Sequence, residues 1–129
     1  ITKRTDVKLN DSIKKLERWR KIVLEASKQC GRAKLMEIAE IIDFNKFVQS
    51  QIGTIILFAE RHGENFSTIK SDQKLTAVIG SEGGWEDLEL ELARKNDVQI
   101  VTLGGRILRA ETAVIAISAL LQNHFGDFR

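Results

Sequence analysis

The sequence predicts an α/β fold, a mainly parallel sheet with helices on both faces. Three observations carry this. Thr54-Ile-Ile-Leu-Phe58 is a continuous apolar, β-branched run of the kind buried on both faces of a parallel sheet. Two further short apolar runs, Leu75–Ile79 and Val98–Val101, alternate with stretches of helical period. Each of these two runs leads into a glycine-rich, charged loop, Gly80-Ser-Glu-Gly-Gly84 in one case and Leu103-Gly-Gly-Arg106 in the other. Loops beyond strand ends are where open α/β sheets hold ligands.

In order along the chain, Ile1–Thr5 has strand character. Asn10–Cys30 follows as a helix, with Ile13, Leu16, Val23 and Cys30 at helical spacing, Asn10, Asp11 or Ser12 as N-cap, and Gly31 as the stop. Trp19 sits on the edge of that apolar stripe. Leu35–Ile38 is a short strand candidate. The next helix runs from about Asp43, its cap, to Ser50, with Phe44, Phe47 and Val48 facing inward. After the Thr54–Phe58 strand comes a polar turn, Ala59–Gly63, and then a loop rich in Ser, Asn and Asp to Lys74. The helix at Asp87–Lys95 has acids in its first turn and Arg94-Lys95 in its last, in line with its dipole, and Leu88 and Leu92 are its expected buried stripe. The last helix, Thr112–Phe125, ends at Gly126 and is apolar nearly all round. Such a helix is buried on both sides, by the sheet or by another subunit.

Composition sets the bounds. At 129 residues, with 43% apolar and 29% charged residues, the chain reads as one ordinary globular domain. A single cysteine, Cys30, excludes an internal disulfide framework and suits a reducing compartment. No run approaches a membrane span and no signal peptide precedes the first helix, so the expected location is the cytoplasm. The net charge of +2 is unevenly spread: residues 1–34 carry eleven Lys and Arg against four acids. That basic quarter could meet phosphate backbones, or could be a solvated helix face.

Gly80–Gly84 is not a phosphate loop, because Gly-Lys-Ser/Thr and Gly-x-Gly-x-x-Gly are both missing. His62, His124 and Cys30 show no metal-ligand spacing, and no Gly-x-Ser-x-Gly elbow supports a nucleophilic serine. The two loops therefore suit a neutral or cationic small molecule held largely by backbone groups. Gly104-Gly105 lets the chain turn sharply or approach a ligand closely, and Arg106, Arg109 and Glu111 set charge beside an otherwise apolar segment.

Ile79-Gly-Ser-Glu-Gly-Gly-Trp85 and Leu103-Gly-Gly-Arg-Ile-Leu-Arg-Ala-Glu-Thr-Ala113 resemble the C-terminal half of the small-subunit ribosomal RNA uracil-N3 methyltransferases, of the knotted SPOUT class. Glu17-Arg-Trp-Arg-Lys-Ile-Val-Leu-Glu-Ala26 and Gln29-Cys-Gly-Arg32 are similar to a further motif of that family. The family usually has proline at Ser81 and phenylalanine at Trp85, followed by a serine cap where this chain has Glu86, a poor N-cap. The resemblance makes residues 1–129 a SPOUT methyltransferase domain, truncated at its N-terminus, without the family's PUA-like RNA-binding barrel.

It further implies a sheet whose C-terminal part forms a deep trefoil knot, and S-adenosylmethionine bound among three loops. The first would offer Phe58 and Ala59; the second Gly80, Glu82, Gly83 and Gly84; the third Leu103, Gly104, Ile107 and Leu108, the leucines and Ile107 forming an apolar wall. Methyl transfer to uracil N3 needs the N3 proton removed. Arg109 is the first candidate to stabilise the resulting charge, or else to hold a phosphate. Glu111 would orient that arginine, accept a proton, or cap the last helix with Thr112. Arg18, Arg32 and Arg106 are the expected RNA contacts, with Gln29 and Arg32 as candidates to close the pocket. No metal is expected. The implied partners are small-subunit ribosomal RNA and a second copy of the chain. Two other readings compete: a non-catalytic dimerisation and RNA-binding module derived from that fold, and an unrelated nucleotide-binding α/β domain.

Overall fold

The structure, a computed structural model, describes Thr2, residues 12–69, residues 74–126 and Phe128. The strand expected at Ile1–Thr5 and the caps at Asn10 and Asp11 lie outside the described residues. Among the described residues, no helix is long and apolar enough to cross a membrane. The chain divides into two compact units, one holding residues 6–42 and the other residues 43–129.

In the first unit, helix α1 spans Ser12–Gln29. Gly31 stops it as expected. At φ +69° it takes the left-handed conformation that glycine adopts without a Cβ penalty. The Gly31 N–H donates to the Lys28 carbonyl at 3.4 Å and the Arg32 N–H to the Ser27 carbonyl at 3.0 Å, the paired bonds of a Schellman ending. The strand expected at Leu35–Ile38 does not form. That segment is irregular, with Leu35 and Met36 exposed, and among the described residues no strand pairs with it to supply a ladder.

Among the described residues, the second unit is built on a four-stranded parallel sheet in the order β2-β4-β1-β3. The strands are β1 (Thr54–Phe58), β2 (Glu64–Asn65), β3 (Leu75–Ile79) and β4 (Gln99–Thr102). Central strand β1 divides its side chains between two cores. Ile55 and Leu57 face helices α2 (Phe44–Ser50) and α3 (Asp87–Lys95), together with Phe44, Val48, Leu90, Ala93 and Ile100. Ile56 and Phe58 face helix α4 (Ala110–Phe125), together with Val101 and Ile117. Helices therefore cover both faces, as the doubly apolar β1 requires.

Helix α2 starts as its sequence predicts, with the Asp43 carboxylate accepting from the Asn45 N–H at 2.9 Å. Helix α3 departs in two ways. Leu88 is 64% exposed, while Leu90 and Ala93 are buried and Leu92 is half-buried against the core. Both sets of residues fit a helical stripe, and the direction from which the sheet approaches selects the second. Glu86 also proves an effective start for the helix, closing a capping box with Glu89, whose carboxylate accepts from the Glu86 N–H at 3.0 Å.

The segment read as loop from Gly63 to Lys74 contains β2 and a short 3-10 turn, Phe66–Thr68, which leads to the buried Ile69. Gly63 makes β2 possible. A Cβ placed there would lie 2.6 Å from the Val101 carbonyl carbon and 2.8 Å from the Thr102 nitrogen, both backbone atoms of β4. Gly63→Ala is expected to pry β2 from β4 and cost about 1–3 kcal/mol, as other overpacking changes do. Urea unfolding measures this, and wild-type stability would contradict the close approach.

Candidate active site

Strands β1, β3 and β4 run parallel, so the segments that follow Phe58, Ile79 and Thr102 leave the sheet at the same edge. Between them lies an open cavity of about 500 Å³. Most of the residues expected to bind a ligand line it: Phe58 and Ala59 from the first segment, Gly80 and Glu82 from the second, Leu103, Gly104, Ile107 and Leu108 from the third. Arg106, Arg109 and Glu111 line it too. Sheet order thus brings together three segments that are far apart in sequence.

Gly83 and Gly84 fall outside the lining. Gly84 is buried at φ +70° with its N–H bonded to the Ser81 carbonyl at 2.9 Å, and a Cβ there would strike the Glu60 carboxylate. Its lack of a side chain serves the turn. Gly80 serves packing as well, since a Cβ there would lie 2.9 Å from the Trp85 indole nitrogen. Gly104 differs from both. It sits at φ +93° with nothing within 4 Å of its Cβ position, so the backbone turn needs glycine and the space beside it is open to the cavity.

Arg109 is the N-cap residue of α4, with extended backbone angles of φ −63° and ψ 152°. Its carbonyl accepts from the Ala113 N–H at 2.8 Å, and its side chain makes no cap hydrogen bond. The helix start thus fixes its Cα while leaving the guanidinium at the cavity. Glu111 and Thr112 lie within the first turn of α4, which corrects the expectation that they cap it. A carboxylate at that position is still favoured by the helix dipole. Arg106, Arg109 and Glu111 are exposed, and no ion pair joins them to another described residue.

The cavity also holds residues that the sequence reading passed over. Glu60, Ser81 and Ala110 line it, as do Ile79, Ala113 and Ile117 at its apolar base. Glu60 was detectable, because it follows the end of β1 as Glu82 follows β3. Ala113 and Ile117 read only as helix core, and their cavity faces depend on how α4 lies on the sheet. Arg18, Gln29 and Arg32 are exposed and belong to the first unit.

A parallel α/β sheet with a partly apolar, glycine-edged cavity beyond its strand ends defines a small-molecule-binding domain of the doubly covered class. Residues 1–122 match the RNA methyltransferase domain family model, and the chain belongs to that family. It is 36% identical over 135 residues to the ribosomal RNA small subunit methyltransferase E of Synechocystis, covering 95% of this chain and 44% of that protein. It is 32% identical over 124 residues to the Aquifex aeolicus protein of the same name, covering 95% and 54%. The chain spans about half the length of the curated relatives it matches.

Among solved structures, the Neisseria gonorrhoeae ribosomal RNA small subunit methyltransferase E bound to S-adenosyl methionine superposes with a TM-score of 0.93 at 32% identity. That match covers 100% of this chain and 55% of the other. A Legionella pneumophila protein in complex with the cofactor SAM superposes with a TM-score of 0.87 at 29% identity, covering 95% and 52%.

Proposed function

We propose that this chain is the methyltransferase domain of an S-adenosylmethionine-dependent enzyme that methylates small-subunit ribosomal RNA at N3 of a uridine. The observation that carries the reading is the single cavity in which the loops after β1, β3 and β4 meet, with Arg109 and Glu111 on its edge. The names of the relatives support an RNA methyltransferase, and two structural neighbours hold the same cofactor.

The residues present fit that cofactor. The cavity lies within the range of roughly 300–1,000 Å³ usual for small-ligand sites. Leu103 and Leu108 offer an apolar surface to an adenine ring, and the open flank of Gly104 admits a ligand edge against the backbone. When bound, the cofactor supplies an electrophilic methyl group on a sulfonium.

The chain's own residues do the rest. Ile79, Ala113 and Ile117 give the cavity an apolar base on which the cofactor can rest. Arg109 stabilises the negative charge that develops on the uracil oxygens as the N3 proton leaves, and Glu111, unpaired with Arg109, is the carboxylate that takes the proton. Arg106, with Arg18 and Arg32 of the first unit, binds RNA phosphates.

Calorimetry with S-adenosylmethionine on the intact protein, followed by mapping of the methyl group transferred to ribosomal RNA, tests the whole reading. Cofactor binding without transfer would favour a non-catalytic RNA-binding module. Methyl transfer to a site other than uridine N3 would reject the specificity alone.

The same reading includes the C-terminal trefoil knot, a cytoplasmic location and a homodimer. Helix α4 lays Ala113, Ile117, Leu121 and Phe125 on the sheet and leaves Val114, Ile115 and Leu120 exposed, Ile115 at 72%. A second copy covering that side would account for the apolar circumference. A dimer at micromolar concentration is the expected outcome of sedimentation, and a monomer would contradict it.

A further inference from the structure

We propose that Trp85 is a positioning residue whose indole joins the end of β1 to the loop after β3 and so sets one wall of the cavity. Trp85 is 6% exposed and lies behind the cavity rather than in its lining. Its indole N–H donates to the Phe58 carbonyl at 2.9 Å across 27 residues of sequence. Phe58 is the last residue of β1 and lines the cavity. The same indole packs on Gly80, whose Cβ position lies 2.9 Å from the indole nitrogen and 3.1 Å from Cε2. Gly80 also lines the cavity, directly after β3. On its other side the ring meets Phe44 of α2, with centroids 5.2 Å apart.

One rigid side chain therefore grips two lining backbone positions from behind and is braced against a helix. β1 and β3 are already paired, with Phe58 opposite Ile79, but that ladder ends where the loops begin. At that end of the ladder the indole holds the Phe58 carbonyl and packs against the Gly80 backbone. The Phe58 carbonyl gains a partner in a buried setting, where leaving it unmade is costly. A side chain at Gly80 would need the place that the indole occupies.

The test is Trp85→Phe in the intact protein, which keeps an aromatic ring against Phe44 and removes the donor. Hydrogen exchange followed by mass spectrometry is expected to show at least about tenfold faster exchange in 59–63 and 80–86, with α4 and the centre of β1 unchanged, the scale of one buried hydrogen bond. Unchanged exchange in those loops, or a uniform increase over the whole domain, overturns the proposal. That measurement needs no ligand.

The consequence for binding rests on the cofactor reading given above. Well below the melting temperature, the Kd for S-adenosylmethionine should rise about tenfold at unchanged stoichiometry. A purely structural tryptophan would lower the Tm and leave that Kd alone. Gly80→Ala supplies a second check, since its penalty on Kd should be about tenfold beside Trp85 and less than about threefold in the Trp85→Phe background. Equal penalties would mean that the two residues act independently. If the wild-type protein does not bind the cofactor, the cofactor reading falls, and the exchange pattern still decides the role of Trp85.

Discussion

Arg109→Ala is expected to slow methyl transfer by about two to three orders of magnitude while leaving cofactor affinity nearly intact, the loss typical of removing one preorganised charge-stabilising donor. The geometry makes this a clean experiment. Arg109 is the N-cap of α4 but contributes to the cap only through its backbone carbonyl, so alanine removes no side-chain cap bond. Its side chain is exposed and pairs with no described acid, which keeps the stability cost small. Arg109→Lys should recover little rate, because a point charge does not reproduce the planar fork. If the arginine only grips phosphate, the defect will appear in RNA affinity, shrink at low salt, and be largely restored by lysine. Single-turnover transfer at saturating RNA separates the two. A full rate in the alanine variant would remove Arg109 from the chemistry.

Gly104→Val should abolish binding of S-adenosylmethionine and leave the far-ultraviolet circular dichroism native. Two effects act together. At φ +93° a β-branched residue is strained by about 1–3 kcal/mol, which pushes the third loop away from its present path. The side chain also projects into space that is open beside the cavity, where nothing lies within 4 Å of the Cβ position. Because the side chain meets no protein atom, the variant should fold at the cost of that local strain, and the larger loss should appear in binding. Titration calorimetry on the folded variant checks this, and native affinity would sink the assignment of the third loop to the cofactor. Gly104→Ala, smaller but equally out of place at that φ, should fall between the two.

What was legible in the sequence was whatever short-range pattern controls. The β-branched run of β1, the helical periods of α1, α2 and α4, the Asp43 cap and the Gly31 stop all rest on neighbours within a few residues, and all appear in the structure where that reading places them. The paired glycine loops were legible for the same reason, and they pointed to most of the cavity lining before any geometry was known.

The tertiary structure decided what depends on distant partners. The two-residue strand β2 is held by β4 and by the missing Cβ of Gly63, and no local signal marks so short a strand. Leu35–Ile38 has strand composition but no pairing neighbour among the described residues, and stays irregular. In α3 two stripes satisfied the same helical period, and the approach of the sheet chose Leu90 and Ala93 over Leu88. Glycines alike in sequence were sorted the same way. Gly84 serves its left-handed turn at φ +70°, Gly80 yields to the Trp85 indole, and Gly104 lines the cavity with no protein atom beside its Cβ position. A glycine's composition announces that a side chain is unwanted, but the atom that would meet that side chain comes from another part of the chain, and only the folded structure brings it there.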